Sequence, residues 1–350
     1  MSGHEPLIEI IIPNWNGRGM LEHCLSSLRK QTYANFRIIV VDNGSSDGSI
    51  ELVQTSFPEV RLVQLRHNTG FSVAVNKGIE ISVAPWLLLL NNDMEVAVDC
   101  LEKLQLAVQQ YPTFHAFALK MMNYHQRQLI DGAGDAVLRG GVGYRLGTME
   151  HDSEEYRKDR ECFGVCAGAA LYSKSFFNKV GLFDADFFAY LEDVDLNMRA
   201  RRHGVKCMYI SSAVVYHIGS ASSGSKINPL TIRLSTRNNI HVLVKNYPLQ
   251  LFLRFFPAII VYQLAWLFFC IKKGMFLPYL SGLYQGLRTL PYFYKKGRAL
   301  QKSDDLLPPD IFAAMIKTSE LLAIGSIMAR RTEAGKSNFL LSCYCKIFFL

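Results

Sequence analysis

The 350-residue sequence lacks several patterns that would assign a function at once. Its eight cysteines show no zinc-finger spacing, which leaves reduced thiols as the simpler interpretation. After the first apolar run, Gly17 and Gly19 are followed by Glu22, where a dinucleotide-binding fingerprint needs its third glycine. With 49% hydrophobic and 19% charged residues, the composition also excludes a disordered chain. These features argue against a zinc-finger protein and a nicotinamide-dependent enzyme.

Acidic residues are scarce in the last third of the chain. Residues 226–350 hold 17 Lys and Arg but 5 Asp and Glu, a net charge of +12, whereas residues 1–225 hold 21 and 25, a net charge of −4. Because the basic residues of the rear alternate with long apolar runs, they favour an anionic lipid surface over nucleic acid. We therefore predict a globular domain at 1–225 and a membrane-associated helical region at 226–350.

The first part alternates apolar runs with segments of helical periodicity. The runs "LIEIIIP", "FRIIVVD", "VRLVQL" and "PWLLLL" are apolar on both sides, which is typical of parallel strands covered on both faces. We predict an α/β, Rossmann-like fold with a mostly parallel sheet. In such sheets ligands bind outside the carboxyl ends of the strands. Those ends carry unusual polar residues, namely Asn14, Trp15, Asp42, Asn68 and residues 91–93.

The stretch "AYLEDVDLNM" puts three carboxylates, Glu192, Asp193 and Asp195, at the edge of an apolar helical stripe. Leu191, Val194 and Met198 recur at the spacing that faces a helix inward. We expect the carboxylates to lie where burial ends and a cleft begins, with Asp195 paired to Arg199 one turn on. An acidic helix start that suits the helix dipole is the alternative interpretation.

Five motifs together resemble those of family 2 glycosyltransferases, in order and spacing, over about residues 7–245. They are "IIPNWNG", "VVDNGSSDGS", "HNTGFSVAVNKGI", "LLLLNND" and "FFAYLEDVDLNMRARRHG". The resemblance implies a GT-A fold, helices on both faces of the sheet, and inverting transfer of a sugar from a nucleotide-diphosphate donor. The subgroup that looks most similar is the rhamnosyltransferase-like enzymes of bacterial surface polysaccharide assembly, so the domain at 1–225 is expected to be catalytic.

The resemblance also implies roles for individual residues. Asp193 is the expected catalytic base and Glu192 its catalytic neighbour. The expected metal ligands for Mg²⁺ or Mn²⁺ are Asp93 and His217, although Asn91 stands where the family often has a further acid. The expected nucleotide-sugar contacts are Pro13, Asn14, Trp15, Asp42, Asn68, Asn91, Asn92 and Asp93. Asp47 is interpreted as a helix cap, near which the second helix should begin.

The rear contains a run of 17 uncharged residues at 255–271, followed by a second apolar stretch with Pro and Gly. As a helix the first run is at the short limit for crossing a bilayer. We predict helices in the membrane interface or a re-entrant hairpin, with a two-span hairpin and a buried helical cap as alternatives. The start of the sequence lacks signal-peptide features, so the expected location is the cytoplasmic face of the inner membrane, peripheral or monotopic.

The sequence thus predicts a metal-dependent glycosyltransferase that acts on a glycan or lipid-linked acceptor and binds no nucleic acid. Two alternatives remain. One is a non-catalytic, membrane-bound scaffold that retains the fold, which the altered metal motif permits. The other is a nucleotidyltransferase, which the missing Gly-rich phosphate loop after the first strand disfavours.

Overall fold

The protein is described from a computed structural model, which covers residues 7–219 and 227–349. The predicted domain boundary at 225/226 lies outside these residues. The first six residues also lie outside the described part of the chain. They belong to the N-terminal segment from which we predict no signal peptide.

The front of the chain alternates strands and helices, as predicted. In chain order its elements are β1 (Ile8–Asn14), α1 (Arg18–Leu28), β2 (Phe36–Asp42), α2 (Ser49–Ser56), β3 (Arg61–Gln64), α3 (Phe71–Ile81), β4 (Trp86–Leu90), β5 (Met94–Val96), α4 (Cys100–Gln110), β6 (Ala116–Asn123), β7 (Ile130–Ala133), β8 (Asp135–Leu138), β9 (Val142–Arg145), β10 (Arg160–Cys162), β11 (Ala169–Ser173), α5 (Lys174–Val180), α6 (Glu192–Arg202) and β12 (Cys207–His217).

The central sheet has the order β10-β12-β6-β11-β4-β1-β2-β3. Strands β3, β2, β1 and β4 are parallel, as the apolar runs predicted. Strand β11 lies antiparallel between β4 and β6, which makes the sheet mixed as a whole. One apolar core packs α1, α2 and α4 on one face, and a second packs α3, α5 and α6 on the other. The α/β fold with helices on both faces is therefore confirmed.

The second helix begins slightly later than predicted. Gly48 has a positive φ of 84°, so regular helix starts only at Ser49. The N-cap position is Gly48 and not Asp47, which precedes it. The carboxylate of Asp47 accepts hydrogen bonds from the backbone N–H of Ser49 (3.1 Å) and of Arg18 (2.8 Å), so Asp47 has a structural role at this turn and ties α2 to α1.

The rear of the chain is entirely helical within the described residues. Its helices are α7 (Pro229–Asn246), α8 (Leu249–Lys272), α9 (Phe276–Leu300), α10 (Pro309–Glu333) and α11 (Phe339–Phe348). A third apolar core joins them to the front, since Val194 and Met198 of α6 pack with residues of α7, α8 and α10, and Leu191 packs against its edge. Helix α6 is therefore held between the sheet and the rear helices, through the three apolar residues predicted to face inward.

Two rear helices, Leu249–Lys272 and Pro309–Glu333, are long and apolar enough to cross a membrane by length and composition. They differ in how much protein covers them. Helix α10 packs on strand β8 and carries the fully buried Glu320. Helix α8 leaves one side bare, including Leu253 and Phe268, which are 62% and 68% exposed. The second predicted apolar stretch forms the start of α9.

Candidate active site

Three neighbouring strand ends are joined by side-chain hydrogen bonds. Asn92, just after β4, donates to the Oδ1 of Asn14 at the end of β1 (2.7 Å), and Asn14 donates to the Oδ2 of Asp42 at the end of β2 (3.1 Å). The chain turns tightly below them at Gly17, where a Cβ would lie 2.2 Å from the Nδ2 of Asn92. These polar residues meet because parallel strands end at the same edge of the sheet.

Asp42 is buried at the end of β2. Its two oxygens accept from Asn14 and from the backbone N–H of Ser45 (2.9 Å), so Asp42 helps to fix the orientation of Asn14. Each carboxylate oxygen can accept a further hydrogen bond, and the direct contact of Asp42 with a base or ribose stays a prediction.

A cavity of about 1110 Å³ opens over these strand ends. The predicted site residues that line it are Pro13, Asn14, Trp15, Asn68, Asn91, Asn92, Asp93, Glu192, Asp193 and His217. Asp42 alone among the predicted residues is not part of this wall. Residues from opposite ends of the front domain thus converge on one hollow.

Trp15 and Asn68 form part of the cavity wall, with Trp15 41% exposed. Asn43 holds Asn68 in place, because its amide donates to the Oδ1 of Asn68 (3.1 Å), which also accepts from the backbone N–H of Gly70 (2.9 Å). An exposed indole at a cavity wall offers a flat apolar face on which a planar ring can stack. By contrast Asn76, part of the same motif, bonds only the backbone of Phe183.

Asp93, His217 and Asp131 form a line of acid, imidazole and acid. The Nε2 of His217 lies 3.3 Å from the Oδ2 of Asp93, and its Nδ1 lies 2.7 Å from the Oδ2 of Asp131. Burial lowers the pKa of His217, but the hydrogen bonds to Asp131 and Asp93 outweigh it and raise that pKa to about 9. Asp131 can accept the Nδ1 proton, and a divalent ion beside Asp93 would displace the proton that Nε2 otherwise shares with that carboxylate.

The residues around Asp93 fit a divalent ion. The Oδ1 of Asp93 is buried and has no hydrogen-bond partner among the described residues, although such orphaned carboxylate oxygens are costly. A carboxylate oxygen and an imidazole nitrogen side by side suit Mn²⁺ or Mg²⁺. Asn91 adds no charge here, and its backbone N–H donates to Gly168 (2.8 Å), where a Cβ would lie 2.9 Å from the Asn91 amide nitrogen.

The acidic start of α6 is presented by an unusual backbone turn. Phe188, Tyr190 and Leu191 all have positive φ, at 65°, 69° and 64°. Non-glycine residues adopt this region at a cost and persist there only when their surroundings fix them. Asn238 of α7 supplies that constraint, since its amide donates to the carbonyls of Phe187, Ala189 and Tyr190 at 2.7–3.0 Å. A rear helix therefore sets the conformation from which Glu192 and Asp193 enter the cavity.

The two adjacent acids hold their protons more tightly than ordinary carboxyl groups. Burial, followed by the charge of Asp193, raises the pKa of Glu192 to about 8. Burial likewise raises the pKa of Asp193, although the backbone N–H of Val194 and the charge of Arg145 oppose the shift. A carboxylate with a raised pKa is a stronger base, which is the property that proton abstraction requires.

Asp195 lies outside the cavity wall and serves the structure. Its Oδ2 accepts from the Nε of Arg199 (3.0 Å), as the spacing predicted, and from the Nζ of Lys245 (2.8 Å). Asn246 donates to its other oxygen at 2.9 Å. Asp195 is completely buried. The third carboxylate of the motif therefore anchors α6 to α7.

Sequence reasoning missed Asp131, Asp135 and Arg145, which lie on β7, β8 and β9. Burial, then the charge of Asp193, raises the pKa of Asp135 to about 8, and Arg145 pairs with Asp131 at 2.5 Å. The ligand atoms of Asp135, Cys166 and Asp193 lie within 4.8 Å of one another. Burial also raises the pKa of Cys166 well above its usual value, so Asp193 has this thiol and the buried carboxyl group of Asp135 as close neighbours.

Arg233 and Arg237 of α7 also line the cavity and were not predicted. They lie beyond the predicted boundary of the catalytic domain, so the wall of the site includes rear residues. Asn14, Trp15 and the 91–93 segment could be found because they follow apolar strands. The arginines carry no such signal, because the docking of α7 depends on tertiary packing.

The comparison with known sequences agrees with this geometry. Residues 9–181 match the sequence model of the family described as "Glycosyl transferase family 2". A protein of Mycobacterium tuberculosis named "N-acetylglucosaminyl-diphospho-decaprenol L-rhamnosyltransferase" is 28% identical over 226 residues, which cover 58% of this chain and 73% of the relative. A "PGL/p-HBAD biosynthesis glycosyltransferase" of Mycobacterium bovis is 25% identical over 255 residues, 69% of this chain and 91% of the relative.

Solved structures match the fold. A structure of GalNAc-T7 with UDP, GalNAc and Mn²⁺ aligns with a TM-score of 0.56 at 16% identity, over 70% of this chain and 48% of that chain. Residues 1–349 of TarS from S. aureus align with a TM-score of 0.52 at 14% identity, over 94% of this chain and 92% of that chain. Residues 9–181 of the chain therefore belong to a glycosyl transferase family 2 domain with a GT-A-like fold.

Proposed function

We propose that the chain is an inverting, metal-dependent glycosyltransferase of surface polysaccharide assembly. It transfers a sugar, with rhamnose as the first donor sugar to test, from a nucleotide diphosphate to a lipid-linked glycan. The observation that carries this proposal is that Asp193 and Asp93 line one cavity, with room between the sheet and α6 for a sugar on its diphosphate.

The strand-end wall of the cavity would hold the donor. Trp15 would stack on the nucleobase, while Asn14 and Asn68 present amide groups already fixed by their neighbours. Asp93 and His217 would hold the divalent ion, which supplies positive charge to the departing nucleotide diphosphate. The orphaned oxygen of Asp93 supports this role.

The opposite wall would supply the base. Asp193 is partly exposed and lies at the first turn of α6, where it can take the proton of the acceptor hydroxyl as that oxygen attacks the anomeric carbon. One displacement from the face opposite the leaving nucleotide inverts the configuration at that carbon. Glu192 beside it is buried and holds its proton, so it would position the acceptor by hydrogen bonding.

The bare side of α8 supports contact with a membrane, and the location on its cytoplasmic face, peripheral or monotopic, is part of the proposal. The protein-facing residues of α8 include Leu251 near one end and Cys270 near the other, both buried against the rest of the chain. A helix that contacts the protein near both of its ends suits a position along the membrane surface. The relative named "N-acetylglucosaminyl-diphospho-decaprenol L-rhamnosyltransferase" supports a lipid-linked acceptor. The division into residues 1–225 and 226–350 stays a prediction.

A thermal-shift panel of nucleotide sugars, each with and without Mn²⁺, tests this function. We expect one nucleotide class to raise the melting temperature of the full chain more with Mn²⁺ than without it. Asp93→Asn should remove this metal-dependent part of the shift, whereas Asp99→Asn, outside the cavity, should retain it. An unchanged metal response in Asp93→Asn would contradict the assigned metal site, and no response to any nucleotide sugar would contradict the function.

A further inference from the structure

A second hollow adjoins the active-site cavity and belongs to none of the predicted motifs. It measures about 430 Å³ and is lined by α7, α8 and the turn between β8 and β9. We call it the α8 groove; its wall is formed by Gly140, Val142, Leu191, Ser235, Asn239, Tyr262, Gln263, Ala265, Trp266 and Phe269. This volume lies within the range of small-molecule sites, about 300–1000 Å³.

The α8 groove offers mainly carbon atoms to an occupant, because the amides of Asn239 and Gln263, the Trp266 indole and the Tyr262 hydroxyl already have protein partners. Gln263 donates to Asn239 (2.6 Å), whose own amide donates to the carbonyls of Gly140 and Gly141. The indole of Trp266 donates to Thr236 (2.9 Å). Tyr262 likewise donates to Glu320 (2.7 Å). A sugar would find few open hydrogen-bond partners here, whereas a hydrocarbon needs none.

The groove and the active-site cavity share two wall residues, Leu191 and Ser235. Leu191 directly precedes the acidic pair of α6, so the shared wall is next to the expected base. The two hollows are therefore adjacent, and a molecule that extends past Leu191 and Ser235 would have one end beside Asp193 and the other in the α8 groove. Such a molecule must be polar at one end and apolar at the other.

Two arginines of α7 flank Ser235 in the sequence and line the active-site cavity. Within the described residues Arg233 has no carboxylate partner, and its buried Nε has no hydrogen-bond acceptor. Arg237 donates to the carbonyls of Asp186 and Phe187. Burial first, and then the nearby charge of Arg233, lowers the pKa of Arg237. Among the described residues neither guanidinium lies within ion-pair distance of a carboxylate, although the charge of Asp186 acts on Arg237. Two guanidinium groups one helical turn apart suit a phosphate or diphosphate.

We propose that the α8 groove binds the first isoprenoid units of a polyprenyl-diphosphate acceptor and that Arg233 contacts its diphosphate. This assignment rests on the proposed function, since it names the acceptor class of the same site. The acceptor's sugar then lies beside Asp193. Further along, α8 exposes Leu264 and Phe268 on its other side, so a long lipid tail leaving the groove meets the apolar face that contacts the membrane.

Binding of farnesyl diphosphate to the full chain in detergent micelles tests the proposal without any sugar transfer. Farnesol and inorganic diphosphate are the comparison ligands. Each methylene taken from water strengthens binding about four-fold. We therefore expect farnesyl diphosphate to bind at least about ten-fold more tightly than inorganic diphosphate. Equal affinities for these two ligands would overturn the groove assignment.

Ala265→Trp fills the groove from its exposed rim, and Leu264→Trp on the outer side of α8 is the matched control. We expect Ala265→Trp to weaken farnesyl diphosphate about ten-fold while inorganic diphosphate binds as before. Leu264→Trp should change neither affinity. If both variants bind farnesyl diphosphate like the native chain, the groove is not its site. Phe269→Ala, which enlarges the groove, provides a second test if Ala265→Trp fails to fold, and it should also weaken farnesyl diphosphate.

Arg233→Gln tests whether Arg233 binds the diphosphate of the lipid acceptor or that of the donor nucleotide. We expect it to weaken farnesyl diphosphate and inorganic diphosphate but not farnesol, and to leave the binding of the donor nucleotide unchanged. A loss of nucleotide binding alone would assign Arg233 to the donor and overturn its proposed role. If the groove variants behave as expected and the chain transfers no sugar, the proposed function fails and the lipid site stands. If transfer depends on Asp193 but farnesyl diphosphate binds no better than diphosphate, the lipid site fails alone.

Discussion

The front and the rear of this chain differ in net charge, in how many apolar side chains they expose, and in how far their sequences alone predict the site. The front is net −4, and its polar residues gather at one edge of a sheet; the rear is net +12 and exposes apolar side chains along α8 and α9. A simple interpretation makes the front an enzyme and the rear its membrane anchor. The structure teaches that this division is too sharp, because α7 forms part of the cavity wall and holds α6.

Buried ion pairs make the connection between the two parts specific. Lys245 of α7 reaches Asp195 of α6 at 2.8 Å and Asp184 at 2.7 Å, and all three side chains are nearly inaccessible. Arg139, after β8, pairs with the fully buried Glu320 of α10. Removing one partner of a buried pair leaves an uncompensated charge, so these contacts fix how the rear helices dock.

If the rear helices are part of the folded catalytic unit and not a separable membrane anchor, the largest loss of stability is expected for Glu320→Ala. This change strands the buried guanidinium of Arg139 and should lower the free energy of unfolding by about 3–5 kcal/mol. The control is Asp310→Ala, which breaks an exposed ion pair of the same helix α10, with Arg254 of α8 at 2.7 Å. That change should cost about 0–1 kcal/mol. Urea unfolding measures the free energy of unfolding of both variants. Equally small losses in the two would show that the rear is a separable membrane anchor.

A smaller effect, dependent on pH, is expected at the junction between the two parts. Because Glu192 has a pKa of about 8 in the folded chain, the unfolded chain loses this proton first as the pH rises from about 4.5. The stability contributed by protonated Glu192 is therefore full at low pH and is lost as the pH approaches 8. Glu192→Gln should gain stability over the native chain above pH 8, by at least about 1 kcal/mol, and gain little at pH 4. A gain independent of pH would contradict the raised pKa.

The smallest effect on folding is expected where the rear faces outward. Phe268→Ser removes a large exposed apolar side chain from α8 and should change the free energy of unfolding by less than about 0.5 kcal/mol. Its binding to anionic lipid vesicles should nevertheless weaken about ten-fold. Val83→Ser, an exposed apolar position of the front, is the control and should leave vesicle binding unchanged. If the two variants bind vesicles equally well, α8 is not the membrane-facing helix.

The sequence predicted the front well because its signals are local. Apolar runs defined β1, β2 and β4, and the residues that follow them had to share one edge of the sheet. A strand end alone does not reveal that Asp42 is buried and hydrogen-bonded to Asn14, so its contact with the ligand stays a prediction. Asp131 and Asp135 escaped notice because their place beside His217 and Asp193 depends on strand pairing across the sheet. Arg233 could not be predicted from the sequence, since only the packing of α7 brings it to the cavity.

The most direct test of the account is the Asp193→Asn variant, assayed for transfer and for donor binding with the nucleotide sugar that the thermal-shift panel identifies. An asparagine keeps the shape of the side chain but cannot accept the acceptor's proton. We predict that kcat falls at least about a thousand-fold while the metal-dependent thermal shift caused by the donor stays within error. Undiminished transfer by this variant would show that the base is elsewhere, and the account of the cavity would be wrong.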